Sequence, residues 1–177
     1  MMKRSWAIRE LCHISIFAAI IAVCAQISVP TAFGVPMTLQ TLAISLSGVV
    51  LGTKNGTIAV LVYILLGAAG VPVFASLSGG LGVIFGRTGG FILSFPFLAC
   101  AAGIGAKKSR LWLILWLAIG AIVNYICGAL MFSFITSNGL AASFSFVVAP
   151  FVPITIIEIA LVVMFGKSIK QVLVMQR

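Results

Sequence analysis

A guanidinium, a carboxyl and a few amides stand out because almost everything around them is apolar. Arg87 sits in the run Gly80-Leu81-Gly82-Val83-Ile84-Phe85-Gly86-Arg87-Thr88-Gly89-Gly90. A guanidinium holds a carboxylate through two parallel hydrogen bonds, and Thr88, Gly89 and Gly90 let backbone N–H groups at a helix start approach an anion. The other reading of Arg87 is an interfacial side chain reaching lipid phosphates. Glu158 lies inside the apolar run 154–165. At membrane depth an ionisable group costs about 3 kcal/mol, so it faces a partner or a polar cavity. It either accepts hydrogen bonds from a ligand's N–H groups or pairs structurally with Asn124 or Arg87, and both options stay open. Gln40, Asn124 and Tyr125, with Thr38 and Thr41 beside the first, are further polar groups in or at the ends of apolar segments. They line a pocket or bond one helix to another.

Other chemistry is poorly supplied. His13 has no second ligand near it, so no metal site is expected. Cys12, Cys24, Cys100 and Cys127 lie in or beside apolar runs without C-x-x-C spacing and read as packing residues. No nucleophile and base pair suggests an intramembrane enzyme, and no catalytic residue is assigned. Gly166-Lys167-Ser168 looks like the end of a phosphate loop, but Leu161 stands where the first glycine is needed and the context is a helix. Any ATP-driven role therefore falls to partner subunits.

The elements that position these residues follow from composition. With 62% hydrophobic and 7% charged residues in long apolar runs, the 177-residue chain is no ordinary soluble domain. Stretches such as 11–25 and 112–123 are apolar on every side, against the alternation of a lipid-exposed β-barrel. The expectation is an all-α integral membrane protein, a single domain over 1–177 with about six transmembrane helices. These fall near 11–29, 38–51, 56–69, Gly89–Gly105, 111–136 and 147–174, the second and third being short. The stretches 30–37, 71–88 and 137–145 read as turn-forming loops. The basic start before the first apolar run resembles a signal peptide, but without a clear cleavage site it reads as a retained helix.

A formal charge of +9 in a soluble protein would suggest nucleic acid. Here the basic residues cluster between apolar segments with no interleaved aromatic platform, and they report topology instead. Lys3, Arg4, Arg9, Lys54, Lys107, Lys108, Arg110, Lys167, Lys170 and Arg177 all fall on one face if there are six spans. That face is cytoplasmic by the positive-inside rule, and both termini lie on it. Arg87 is the exception, among Gly- and Pro-rich loops that face outward.

Three segments carry a family resemblance: Pro36-Met37-Thr38-Leu39-Gln40-Thr41-Leu42, Gly79 to Gly90 running into Phe91, and Pro150-Phe151-Val152-Pro153. Along essentially its whole length the chain resembles the BioY family, the biotin-specific S-components of energy-coupling factor (ECF) transporters. The resemblance implies a six-helix subunit of the bacterial plasma membrane with a biotin pocket on its extracellular side. It further implies a transmembrane T-component and two cytoplasmic ATPases as partners, toppling of the S-component to release vitamin inward, and no cofactor. An alanine motif on the first helix contacts the T-component in that family, and Ala18-x-x-x-Ala22 matches it; as plain sequence, the same pair reads equally as packing within the bundle. Phe33, Val35, Phe74 and Phe91 would supply apolar contacts to the ring and alkyl chain of biotin.

The chain departs from the family pattern where charge is concerned. The pattern has Pro at Arg87, Tyr at Phe91, Asp at Thr155 and Lys at Glu158. Arg87 is thus no inherited ligand, and it would replace the lost Lys as the positive group for the carboxylate of biotin. Glu158 would then receive the ureido N–H groups or balance Arg87. The rival reading is a stand-alone secondary carrier for biotin or another small anionic vitamin, with Glu158 as proton-coupling group. Against it, no inverted repeat with matching broken helices is visible.

Overall fold

The computed structural model describes the backbone of residues 2–175 and the side chains of residues 8–169 and 171. Of the basic residues counted above, the side chains of Lys3, Arg4, Lys170 and Arg177 lie outside the described residues. Helices α1 (Met2–Gln26), α2 (Gln40–Ala68), α3 (Leu81–Ile84), α4 (Gly89–Gly105), α5 (Arg110–Thr136), α6 (Leu140–Val147) and α7 (Val152–Met175) follow in order. Short 3-10 turns occupy Ala75–Leu77 and Ala149–Phe151. The strands β1 (Ser28–Val29) and β2 (Met37–Thr38) pair antiparallel and pinch the segment between them into a loop.

Helix α2 is a hairpin, not a rod. Gly52 has φ 83° and ψ 173°, a conformation that glycine alone adopts without strain. Gln40 Nε2 donates to the Tyr63 hydroxyl at 2.7 Å across 23 residues, which a continuous helix would separate by about 34 Å. A Cβ on Gly56 would lie 2.7 Å from the Cα of Gly48, so the halves 40–51 and 53–68 fold back tightly on each other. At about 1.5 Å per residue they reach about 18 and 24 Å, short of a hydrocarbon core of about 30 Å. These are the two short segments expected near 38–51 and 56–69. Counted by length and composition only, without regard to the turns at Gly52 and Pro150, the stretches Ile8–Gln26, Gln40–Ala68, Arg110–Thr136 and Leu140–Ile169 are each long and apolar enough to cross a membrane, with Gly89–Gly105 a shorter apolar helix.

Helix α4 forms the centre, buried along most of its length between α2 and α5. Glycines make the approach possible. A Cβ on Gly48 would lie 2.1 Å from the Ala99 carbonyl oxygen, and one on Gly90 would lie 2.1 Å from that of Cys127. Helix α1 packs on α2, and α7 closes the bundle against α2 and α5.

The elements differ from expectation in the third loop. Residues 137–145, expected as a loop, contain most of α6, and the helix expected from 147 begins at Val152 after a 3-10 turn. Pro150 and Pro153 lack the N–H that a continuous helix would need, so the chain breaks and restarts with Pro153 in the first turn, where no donor is missed.

Charge separates along the bundle. A Cβ on Gly103 would lie 2.5 Å from Thr53 Cα, which sets the end of α4 beside the Gly52 turn and Lys54. Lys167 Nζ donates to the Lys108 carbonyl at 3.2 Å, bringing the end of α7 to the α4–α5 turn with Lys107 and Arg110. Ile14 and Phe17 of α1 cluster with Val50 and Ala59 at the same end, below Arg9. At the opposite end the loops 27–39, 69–88 and 137–151 converge around Arg87.

Candidate functional site

The convergence of loops encloses a cavity of about 410 Å³, within the range of about 300–1,000 Å³ usual for small-molecule sites. Its walls come from every loop at that end and from the adjoining turns of α2, α4, α5 and α7. The β1–β2 loop contributes Gly34, Val35 and Pro36, shaped by a Gly34 N–H to Thr31 carbonyl bond of 3.2 Å and a Thr31 hydroxyl to Val35 carbonyl bond of 2.8 Å. Gly34 has φ 76°, and a Cβ there would lie 3.3 Å from a guanidinium nitrogen of Arg87. Arg87 therefore lies across this loop at the mouth, exposed, as the only charged residue on the wall among the described residues.

The second loop is held from α1. Gln26 Nε2 donates to the carbonyls of Val73 at 3.3 Å and Phe74 at 3.1 Å, while its Oε1 accepts from the Leu77 N–H at 2.9 Å. Those bonds clamp a segment in which Ser76 and Leu77 both have positive φ, at 57° and 54°. Phe74 is fully packed, its ring resting on Gly67 and edge-on to Tyr63 at 5.5 Å.

Proton counting orients the deep polar groups. The Tyr63 hydroxyl donates to the Val73 carbonyl at 3.2 Å, which can only accept, so it must itself accept from Gln40 Nε2. Among the described residues Gln40 Oε1 has no partner, and Gln40 lines the cavity. Likewise Asn124 Nδ2 donates to the Phe91 carbonyl at 3.0 Å and to the Ser94 hydroxyl at 2.7 Å, using both its hydrogens. Ser94 in turn shares its one hydroxyl hydrogen between the carbonyls of Gly90 and Phe91, each at 2.9 Å. Asn124 Oδ1 has no partner among the described residues and is a second acceptor. The hydroxyls of Tyr125 and Thr155 bond each other, which occupies one of their two hydrogens and leaves the other to donate. Phe91, Ile92, Phe95, Phe151 and Ile154 form the apolar belt between this polar floor and Arg87, with Phe91 and Phe151 stacked at 6.1 Å.

Of the residues singled out from sequence, Arg87, Thr88, Gln40, Asn124, Tyr125, Phe74 and Phe91 meet on this one wall, with Val35. Four do not. Gly89 and Gly90 are packing contacts: a Cβ on Gly89 would lie 1.7 Å from the Ile84 carbonyl oxygen, and the Gly89 N–H is already bonded to Gly86 at 3.0 Å. Phe33 stacks on Phe146 at 4.3 Å, outside the wall. Glu158 lines a separate cavity of about 20 Å³ with Thr41, Ser45, Leu98, Leu117, Ala121, Asn124, Tyr125, Thr155 and Ile159. Thr41, Asn124, Tyr125 and Thr155 belong to both cavities. On α2 and α7 the smaller one takes residues one turn further along, Ser45 after Thr41 and Glu158 after Ile154 and Thr155. It lies directly beneath the floor of the larger.

Glu158 pairs with neither Arg87 nor Asn124 in hydrogen bonds; the Thr41 hydroxyl meets its two oxygens at 2.9 and 2.7 Å. Ala18 is 4% exposed and packs into the main core, with half-buried Ala22 against the same core. Ala18 is thus turned into the bundle, whereas Ala22 is half-exposed beside an outward face of α1 that carries Ser15, Ile16, Ala19, Ile20 and Val23. Sequence reasoning missed Ile92, Phe95 and Ile154 on the wall and Gln26 and Tyr63 behind it. Phe95 follows Phe91 at helical spacing, which was the available signal.

Comparison with known proteins gives one consistent family. The BioY family model, described as "BioY family", matches residues 1–174. A protein of Thermotoga maritima named "Biotin transporter BioY" is 38% identical over 166 residues, covering 92% of this chain and 96% of that one. A Pyrococcus horikoshii protein, "Probable biotin transporter BioY", is 37% identical over 162 residues, covering 92% of this chain and 96% of the relative. Among solved structures, "the S-component for biotin from an ECF-type ABC transporter" superposes with a TM-score of 0.85 at 25% identity, covering 94% of this chain and 93% of that chain.

Proposed function

The chain belongs to the BioY family, and from that premise we propose that it is the S-component that captures biotin for an ECF-type transporter. The observation that carries this reading is the order of groups in the cavity of about 410 Å³: a lone cation at the mouth, an aromatic belt, and two free amide oxygens on the floor. Biotin has the same order reversed. Its carboxylate would meet Arg87, its alkyl chain and sulfur ring would lie against Phe74, Phe91, Phe95 and Phe151, and its two ureido N–H groups would donate to Gln40 Oε1 and Asn124 Oδ1. The spare hydrogen of the Tyr125–Thr155 pair would then serve the ureido oxygen, with Thr88 beside Arg87. Glu158 acts through Thr41, one turn below. Nanomolar binding requires about 12 kcal/mol; over about 16 heavy atoms that is about 0.8 kcal/mol each, reasonable for a compact ligand in a closed site.

The six-span topology rests on α2 counting as two crossings, with α1, α4, α5 and α7 supplying the others. Gathering of the basic residues at the end opposite the cavity supports cytoplasmic termini and an outward-facing site in the plasma membrane. A T-component and two ATPases would complete the transporter, since the chain has no phosphate loop.

The site assignment is tested by comparing biotin with its uncharged amide. Arg87→Ala is expected to weaken biotin about 10- to 100-fold, the range of one charge-assisted bond, and to leave the amide unchanged. Equal biotin affinity in the variant and the wild type would remove Arg87 from the site.

A further inference from the structure

Beneath the ligand floor, the small cavity has a composition of its own. Its polar lining consists of oxygen donors: the Glu158 carboxyl, the hydroxyls of Thr41, Ser45, Tyr125 and Thr155, and Asn124, whose Nδ2 hydrogens are both used elsewhere. Glu158 is 5% exposed, Asn124 2% and Ser45 7%. Among the described residues no basic group pairs with Glu158; its oxygens meet the Thr41 hydroxyl and the backbone N–H of Leu42. Neither Ser45 Oγ nor Asn124 Oδ1 has a hydrogen-bond partner among the described residues; Ser45 lines this space alone, while Asn124 lines both cavities and its Oδ1 has two lone pairs, one for the ligand above and one for an occupant here. A carboxyl removed from water this completely either takes up a proton or, if ionised, needs a compensating positive charge. The volume of about 20 Å³ admits one occupant the size of a water molecule.

We infer that this cavity is a monovalent cation site for Na⁺, formed by Glu158, Thr41, Ser45, Asn124 and Thr155. Hard oxygen ligands without nitrogen or sulfur suit a hard cation. One carboxylate balances one positive charge, whereas a divalent ion would leave a net charge buried. Na⁺ is the abundant monovalent ion on the side toward which the cavity opens in the reading above, on which this inference rests. The ion would enter through the ligand cavity, since Thr41, Asn124, Tyr125 and Thr155 face both spaces. Bound ligand then closes over it, and the two occupants stabilise each other reciprocally.

The test is biotin affinity of the purified full chain in lipid nanodiscs, titrated with NaCl, KCl or choline chloride at constant ionic strength, alongside direct ²²Na⁺ binding. The expected result is a saturable tightening of about tenfold specific to Na⁺, a typical coupling between adjacent sites, with one ²²Na⁺ retained per chain and released more slowly with biotin present. Ser45→Ala should keep the Na⁺-free biotin affinity while moving the Na⁺ response to higher concentration, and Glu158→Gln should abolish the response. Equal biotin affinity in NaCl and choline chloride, a K⁺ response as large as that to Na⁺, or a response to pH with none to Na⁺ would each overturn the cation site. Absence of biotin binding in every salt, with one ²²Na⁺ still retained, would instead overturn the biotin reading.

Discussion

Gln40 shows how a single side chain acquires a direction. Its amide nitrogen is fixed on Tyr63 because the Tyr63 hydrogen is committed to a carbonyl, and the oxygen is thereby turned to the cavity. Replacing it with Leu removes an acceptor while leaving a buried ligand N–H unmatched, which costs about 1–3 kcal/mol. Gln40→Leu is therefore predicted to weaken biotin about 10- to 100-fold by equilibrium binding, and an unchanged affinity would place the ureido group elsewhere. At this scale the sequence was informative about residue type and less so about depth. Arg87, Gln40, Asn124 and Tyr125 were conspicuous as polar groups among apolar ones. That Glu158 belongs one turn below the floor was not readable, because residues three and four apart share a helix face and differ only in height. Nor could spacing tell that Gly89 serves the packing of α3 and Gly90 the approach of α5, and not the ligand.

Elements carry the site through turns that single residues enforce. Gly52 has open space where a Cβ would be, so Gly52→Ala tests backbone strain without a clash. That conformation costs a non-glycine residue about 1–3 kcal/mol, and the variant should unfold at lower temperature in detergent while still binding biotin at lower temperature. Gln26 plays a comparable part for the second loop. Gln26→Leu frees the segment carrying Ser76 and Leu77, whose positive φ values are themselves strained, and with it the Phe74 wall. Biotin should dissociate about tenfold faster from it, since loosening of a wall acts mainly on the off-rate; an unchanged off-rate would show that the clamp does not hold the wall. The hairpin at Gly52 was legible because Thr53, Lys54 and Asn55 interrupt two apolar runs. Helix α6 was not, because its Ser and Ala residues suit a loop or a helix and only contact with α5 decides.

On the scale of the whole molecule, two gradients run along the bundle: basic charge gathers at one end and the ligand-sized cavity opens at the other. Hydropathy and the Lys and Arg positions were enough to anticipate that polarity, since both follow from membrane physics and not from contacts. The stand-alone carrier remains the competing account, and the buried carboxyl of Glu158 is what favours it; uptake by cells lacking any T-component would support it. Both accounts require that the chain bind its vitamin unaided, which makes this the most direct test. The measurement is equilibrium titration of the purified single chain with biotin, using thiamine and riboflavin as controls. The account predicts one biotin bound per chain with nanomolar affinity and no competition from either control. A folded chain that ignores biotin, or takes thiamine or riboflavin as readily, would contradict it.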